Sequence, residues 1–306
     1  MANPEIVALD LHFLGAAHAV ASYLVRGPAG PVLVETGPGS TLATLWAGLA
    51  AHGLTPSDIR DVLVTHIHLD HAGAAGWWAR QGATVHVHHL GAPHLADPSR
   101  LLASAQRIYG DQMDYLWGEV LSAPAEQLHT LGDGDVVEAG GLRFVAHDSP
   151  GHARHHLAYQ LGGIAFTGDL AGVRRPESPH IRLPTPPPEF DLEAWLASLA
   201  RIRALGLSRL YLTHFGPVSD VDHHWGRVAD LLPRYAEQVR AALAAGLERD
   251  AIVDDISAWE AARLDADGIP AEDRPVYDNL GPGGMTVDGI LRYWQKRAPR
   301  ASSAAS

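Results

Sequence analysis

The 306 residues contain no cysteine, which excludes disulfides and thiolate metal ligands alike. That absence agrees with a cytoplasmic protein, the compartment we expect. No run of about eighteen apolar residues is present, so no membrane-spanning helix is expected. The start, Met1-Ala2-Asn3-Pro4-Glu5, has neither the basic residues nor the apolar stretch of a signal peptide. Lys and Arg together number 23 against 35 Asp and Glu, a net charge of −12 with no basic block. A polyanion would meet an unfavourable field, so the expected partner is a small molecule and not nucleic acid or a membrane. With 46% hydrophobic and 19% charged residues, the chain can bury one large core with an appended subdomain.

Histidine is abundant, at 19 residues, and is concentrated in His66-Ile67-His68-Leu69-Asp70-His71. This stretch follows Asp61-Val62-Leu63-Val64-Thr65, which reads as a buried strand. Residues two apart on an extended segment point the same way, so His66 and His68 can reach one metal together. Ala72-Gly73-Ala74-Ala75-Gly76 then turns the chain and lets Asp70 and His71 face a second position. Imidazole and carboxylate suit zinc, iron or manganese. Histidines also cluster on solvated loops, but here desolvated polar groups at a strand end would need partners.

The H-x-H-x-D-H spacing resembles the signature of the metallo-β-lactamase superfamily, and three later stretches match its further motifs in order. Phe144-Val145-Ala146-His147 runs into Ser149-Pro150-Gly151-His152. Ile164-Ala165-Phe166-Thr167 runs into Gly168-Asp169, and Leu210-Tyr211-Leu212-Thr213 into His214-Phe215-Gly216-Pro217. The resemblance covers roughly residues 5–220. It implies two zinc ions, with iron or manganese as alternatives. One would be held by His66, His68 and His152, the other by Asp70, His71 and His214, with Asp169 bridging. Two departures stand out. The family often has Asp before its Thr/Ser-Gly, where this chain has Glu35-Thr36-Gly37; a longer carboxylate behind the ligands shifts geometry without abolishing binding. The residue after the third-motif histidine is Ala153 in place of the common Thr or Ser, which removes a hydroxyl.

The chemistry implied is hydrolysis. A hydroxide shared by two metals roughly 3.5–4 Å apart is nucleophilic at neutral pH, and Asp70 can orient it toward the carbonyl of an ester, lactone or thioester. Asp70 and Asp169 are therefore the expected catalytic residues. Alternatives are an iron-dependent oxidoreductase resembling persulfide dioxygenases, and a β-lactamase. The full ligand set including His214 favours the dinuclear site over a mononuclear one, and the missing cysteine counts against β-lactamases with a thiolate at the second metal. A flavodiiron reading needs an appended flavodoxin-like domain, and the last roughly 70 residues read as helical and too short for one. An idle metal scaffold would not need seven intact ligands.

Strands are expected at Ile6–Leu14, Ala21–Arg26 and Val32–Glu35, then the metal strand and Thr84–His88. Ser40 or Thr41 reads as the N-cap of a helix carrying Leu42, Leu45, Trp46 and Leu49, and another helix passes through Trp77-Trp78. A second half begins near Leu131, with strands at Val136–Glu138, Arg143–His147, Leu157–Leu161, Ile164–Thr167 and Leu210–Thr213, and a helix capped by Asp191. This is an α/β (α+β) chain, expected as a four-layer αββα sandwich over residues 1–232. Residues 93–127 read as a helical insertion, a lid over the site, with Arg100, Tyr109 and Tyr115 as candidates to touch substrate. Residues 233–306 read as a helical extension, with helices around Tyr235–Ala245 and Thr286–Arg297 and a disordered tail at Ala301–Ser306. His156 matches a recurring histidine behind the site, and His18 lies in a turn that borders the pocket in relatives. His86, His88, His89, His94, His180, His223 and His224 read as solvated or structural.

Overall fold

In a computed structural model, residues 4–297 are described; Met1-Ala2-Asn3 and the expected tail Ala301–Ser306 lie outside them. The first sheet runs in the order β1 (Glu5–Asp10), β2 (Ala21–Gly27), β3 (Gly30–Val34), β4 (Asp61–Leu63), β5 (Thr84–His88), β6 (Leu128–Leu131). The second holds β7 (Val136–Ala139), β8 (Leu142–Asp148), β9 (Leu157–Leu161), β10 (Ile164–Phe166), β11 (Arg209–Leu212) and β12 (Gly216–Val218), again in sequential neighbour order.

Alternation along the strands sets the layers. Tyr23, Val25, Val32 and Val34 point between the sheets and meet Phe144, Tyr159, Phe166 and Tyr211. Their neighbours Leu24 and Leu33 face outward, where α1 (Leu42–Ala51) supplies Leu45 and Leu49. Two short helices follow β4, α2 (Leu69–Ala72) and α3 (Ala75–Arg80), and α3 adds Trp78 to that outer core. Between β5 and β6 stand α4 (Ala92–Ala96), α5 (Ser99–Tyr109) and α6 (Met113–Trp117), which make up the insertion. Outside the second sheet, α7 (Leu192–Arg203) and α8 (Val221–Ala244) pack Trp195, Leu199 and Trp225 against Ala165, Leu210 and Leu212. The four-layer αββα sandwich is therefore present. The C-terminal part continues as α9 (Arg249–Ala266), α10 (Arg274–Leu280) and α11 (Gly283–Arg297). Ile290 joins the outer core of the second sheet, with Leu291 and Trp294 packed against it.

Several local expectations differ from the structure. The first strand stops at Asp10, because His12 and Leu14 adopt left-handed φ values of 48° and 55°. The segment Leu128–Leu131 is a strand, paired parallel with β5, that closes the first sheet. Asp191 accepts the Ala194 N–H at 3.1 Å as an N-cap should. Ser40 and Thr41 do not cap: their hydroxyls donate to Leu116 O and Pro38 O. The helix expected around Tyr235 starts at Val221, and Pro233 sits inside it without ending it, so residue 232 is mid-helix. No described helix is long and apolar enough to cross a membrane.

Candidate metal centre and its pocket

The seven residues singled out by the motifs converge at the strand ends of both sheets. His66 and His68 follow β4, and Asp70 and His71 ride on α2. From the second sheet, His152 follows β8, Asp169 lies in the turn after β10, and His214 follows β11. His66 Nε2 and His152 Nε2 each stand 2.9 Å from His68 Nδ1. On the other side, His214 Nε2 is 3.4 Å and His71 Nε2 3.7 Å from Asp70 Oδ2. Asp169 reaches both groups: Oδ1 is 3.2 Å from His71 Nε2 and 3.3 Å from His214 Nε2, while Oδ2 is 3.3 Å from His152 Nε2. Among the described residues, His66/His68/His152, His66/His71/Asp169 and Asp70/His71/His214 each present ligand atoms within 4.8 Å of one another.

The outer ring nitrogens are held by the scaffold. His152 Nδ1 donates to Pro184 O and His214 Nδ1 to Ala19 O, each at 2.9 Å. His71 Nδ1 donates to Glu35 Oε1 at 3.0 Å. These bonds turn each Nε2 inward and fix the tautomer. Glu35 is buried at the end of β3 with a left-handed φ of 65°. Its carboxylate also accepts the Thr65 hydroxyl at 2.5 Å, the Thr65 N–H at 3.1 Å and the Thr213 hydroxyl at 3.1 Å. The longer side chain thus buttresses strand ends from both sheets. His156, expected behind the site, accepts the Asp169 N–H on Nε2 at 3.2 Å, and its Nδ1 faces Ser149 Oγ at 2.8 Å. Gly168 allows this close approach: its φ is +49°, and a Cβ there would lie 2.6 Å from His156 Nε2.

Burial and charge divide the cluster. Burial and the neighbouring imidazoles hold His66 well below the ordinary histidine range, and His68 falls to about 3. Burial likewise lowers His152. These rings are neutral and offer lone pairs. Burial opposes protonation of His71 and His214 too, but there Asp169 and Asp70 outweigh it, raising His71 well above its usual value and His214 to about 9. Burial pushes Asp70 upward, yet His71 and His214 bring it down to about 2. His71 Nε2 and Asp169 Oδ1 are buried without a hydrogen-bond partner. Orphaned inward atoms, neutral imidazoles, ionised carboxylates and two imidazoles whose protons a metal would displace form a donor set that fits divalent transition metals.

A cavity of about 320 Å³ opens onto His68, Asp70, His152 and Asp169. Arg100 and Tyr109 of the insertion line it, as expected; Tyr115, 69% exposed, does not. From the first turn the lining comes from Phe13 and Leu14. His18, instead, packs at a tilt against Phe215 with ring centres 4.8 Å apart. The sequence reading missed three contributors. His155 pairs with Glu189 at 3.2 Å, the Pro184–Pro188 segment forms one wall, and Leu280, Pro282 and Met285 of the C-terminal part form another. The proline-rich run just before Glu189 was the only local signal of these. His94, assigned no role, also lines the cavity, whereas His86, His88, His180 and His224 are buried and structural.

Residues 15–214 match the family profile described as the metallo-β-lactamase superfamily. A metallo-β-lactamase fold-containing protein of Sulfurisphaera tokodaii is 28% identical over 162 residues, 52% of this chain and 61% of its own. Atrochrysone carboxyl ACP thioesterase of Aspergillus fumigatus is 28% identical over 228 residues, 72% of this chain and 59% of its own. Hydroxyacylglutathione hydrolase of Ectopseudomonas mendocina is 27% identical over 203 residues, 63% of this chain and 60% of its own. The chain thus spans about 60% of the length of these curated relatives. Among solved structures, a metallo-β-lactamase family protein from Thermus thermophilus superposes with a TM-score of 0.65 at 24% identity, covering 95% of this chain and 93% of that one. An archaeal superfamily protein from Sulfolobus tokodaii reaches 0.60 at 20% identity, over 76% and 86%. With the profile running from the first inter-strand turn to His214, over both sheets that carry the cluster, this chain belongs to the metallo-β-lactamase superfamily.

Proposed function

We propose that the chain is a dinuclear, zinc-dependent hydrolase of an ester, lactone or thioester. The observation that supports this most directly is Asp169, whose two carboxylate oxygens face separate histidine groups. His66, His68 and His152 would hold one ion, Asp70, His71 and His214 the other, and Asp169 both. When bound, the ions supply a Lewis acid for the carbonyl oxygen and a water ionised near neutral pH. Asp70, ionised and lining the cavity, accepts a hydrogen bond from the attacking water and orients it. Tyr109, its phenol pushed up by burial and by Asp70, stays protonated and can donate to the substrate. The thioesterase and acylglutathione hydrolase names of two relatives favour thioesters within this class.

Metal analysis of protein purified without chelator, followed by a panel of thioesters, lactones and β-lactams, tests the reading. Two equivalents of zinc and thioester or lactone cleavage are expected. A reproducible value near one, unchanged by added zinc, would sink the dinuclear model. One iron per chain with oxygen consumption would replace it by the oxidoreductase.

A further inference from the structure

We propose that the cavity beside the metal-facing cluster is an acyl-chain site, and that the substrate is an ester, thioester or lactone of a medium-length apolar acid. The inference rests on the hydrolase reading and adds the substrate class. One continuous space has His68, Asp70, His152 and Asp169 at its floor and Leu14, Leu101, Ile108, Leu280 and Met285 among its walls. A bond cut at the floor therefore belongs to a molecule whose other part lies against hydrocarbon. At about 30 Å³ per methylene-sized group, the share of one water in the liquid, 320 Å³ takes roughly ten such groups.

Not all of the wall is hydrocarbon: His94, Ser104, Tyr109 and Asn279 also line it, while its two charged groups, Glu189 and Arg100, are paired or reach solvent. Glu189 is occupied by His155 Nε2 at 3.2 Å and by the Arg154 N–H at 3.3 Å, and Arg100 is exposed. Hydrolysis breaks the acyl carbon's bond to oxygen or sulfur and forms one to water oxygen, giving the free acid and an alcohol or thiol. The alcohol or thiol departs to solvent, or in a lactone stays joined to the acid as its hydroxyl, while the acyl part is held through the attack; the apolar wall serves that part. The wall is firmly mounted. Arg182 binds Asp278 at 2.8 Å, Gly281 O at 3.2 Å and Glu260 at 3.4 Å, tying α9 and α10 to the segment before Pro184. A Cβ at Gly289 would meet Thr185 O at 1.8 Å, so α11 lies directly on the proline-rich wall.

The test pairs kinetics with binding. Acyl thioesters of one small thiol, with acyl chains of two to twelve carbons, are assayed on the zinc-loaded protein. Acetate and decanoate are titrated calorimetrically into chelator-treated protein. Expected are a kcat/KM that rises about fourfold per methylene and levels off near ten carbons, and binding of decanoate without acetate. Ile108→Asp, at a position 48% exposed and so safe for folding, and Met285→Asp should flatten the chain-length dependence and weaken decanoate binding. Hydrolysis at equal rates for all chain lengths, with no decanoate binding, overturns the acyl site and leaves the hydrolase standing. Decanoate binding with no cleavage of any thioester, lactone or ester supports the site and overturns the hydrolase.

Discussion

At the scale of single residues, Asp169 and His156 sit one hydrogen bond apart yet differ in what they hold. Asp169 faces His71, His152 and His214, whereas His156 bonds the Asp169 backbone N–H and Ser149 and packs its ring beside that of His66, centres 5.0 Å apart. Asp169→Ala should therefore lose metal and nearly all activity. His156→Ala should keep its metal content and lose about 10–100-fold in rate, the usual cost of removing a partner behind a ligand. Equal losses in both variants would mean the ligand set is misplaced. The protonation pattern gives a second test. His71 and His214 hold protons at neutral pH against Asp70 and Asp169, and a metal must displace them. Titrating zinc into chelator-treated protein at pH 7 in weak buffer should release about two protons per chain from these rings and up to one more from the metal-bound water, and zinc affinity should rise with pH. Release of one or none would contradict the assigned pair.

At the scale of elements, the insertion supplies Arg100 and Tyr109 to the cavity but turns Tyr115 outward. Tyr109→Phe should change kcat/KM unevenly across a substrate panel, by up to about 2 kcal/mol where a buried hydrogen bond is lost, and Arg100→Ala, at an exposed position, by less. Tyr115→Ala should leave selectivity and metal content unchanged. An effect of Tyr115 equal to that of Tyr109 would place the insertion differently in solution. The same contrast explains what was legible beforehand. The seven proposed ligands fall shortly after the ends of four apolar strands, so strand pattern and local spacing find them. Strands of the sandwich show for the same reason. Leu280 and Met285 reach the cavity from helices far along the chain, and nothing near them in sequence records that contact. Arg100, Tyr109 and Tyr115 lie on one short amphipathic stretch, where the rotation of α5 and α6 decides which side chains turn inward. The edge strand Leu128–Leu131 escaped because two of its four residues, His129 and Thr130, are exposed and polar.

At the scale of the whole molecule, a buried ionic network joins the sandwich to the C-terminal helices. Glu260 is 4% exposed and meets Arg182, Arg263 and His180. Burial raises its carboxyl, but His180 and the two arginines prevail and hold it at about 2 against the usual 4.5. Because the folded value is the lower one, its stabilisation, roughly 3 kcal/mol, is full above pH 4.5 and fades as pH falls toward 2. Glu260→Gln should thus be less stable in urea at pH 7, with the gap to the parent narrowing steadily below pH 4.5. A gap independent of pH would show that packing, not charge, sets the loss.

The position of the cluster has a consequence for folding itself. His66, His68 and His71 follow a strand of one sheet, and His152, Asp169 and His214 follow strands of the other. On the proposed assignment, an ion seated among them is a rivet across the seam of the sandwich, gripping only the closed form. Free ion at a hundred times its dissociation constant would add about 2.7 kcal/mol to that closure. Reagent and fastener would then be the same atom, and the supply of metal would govern how many chains stand folded as well as how many are active.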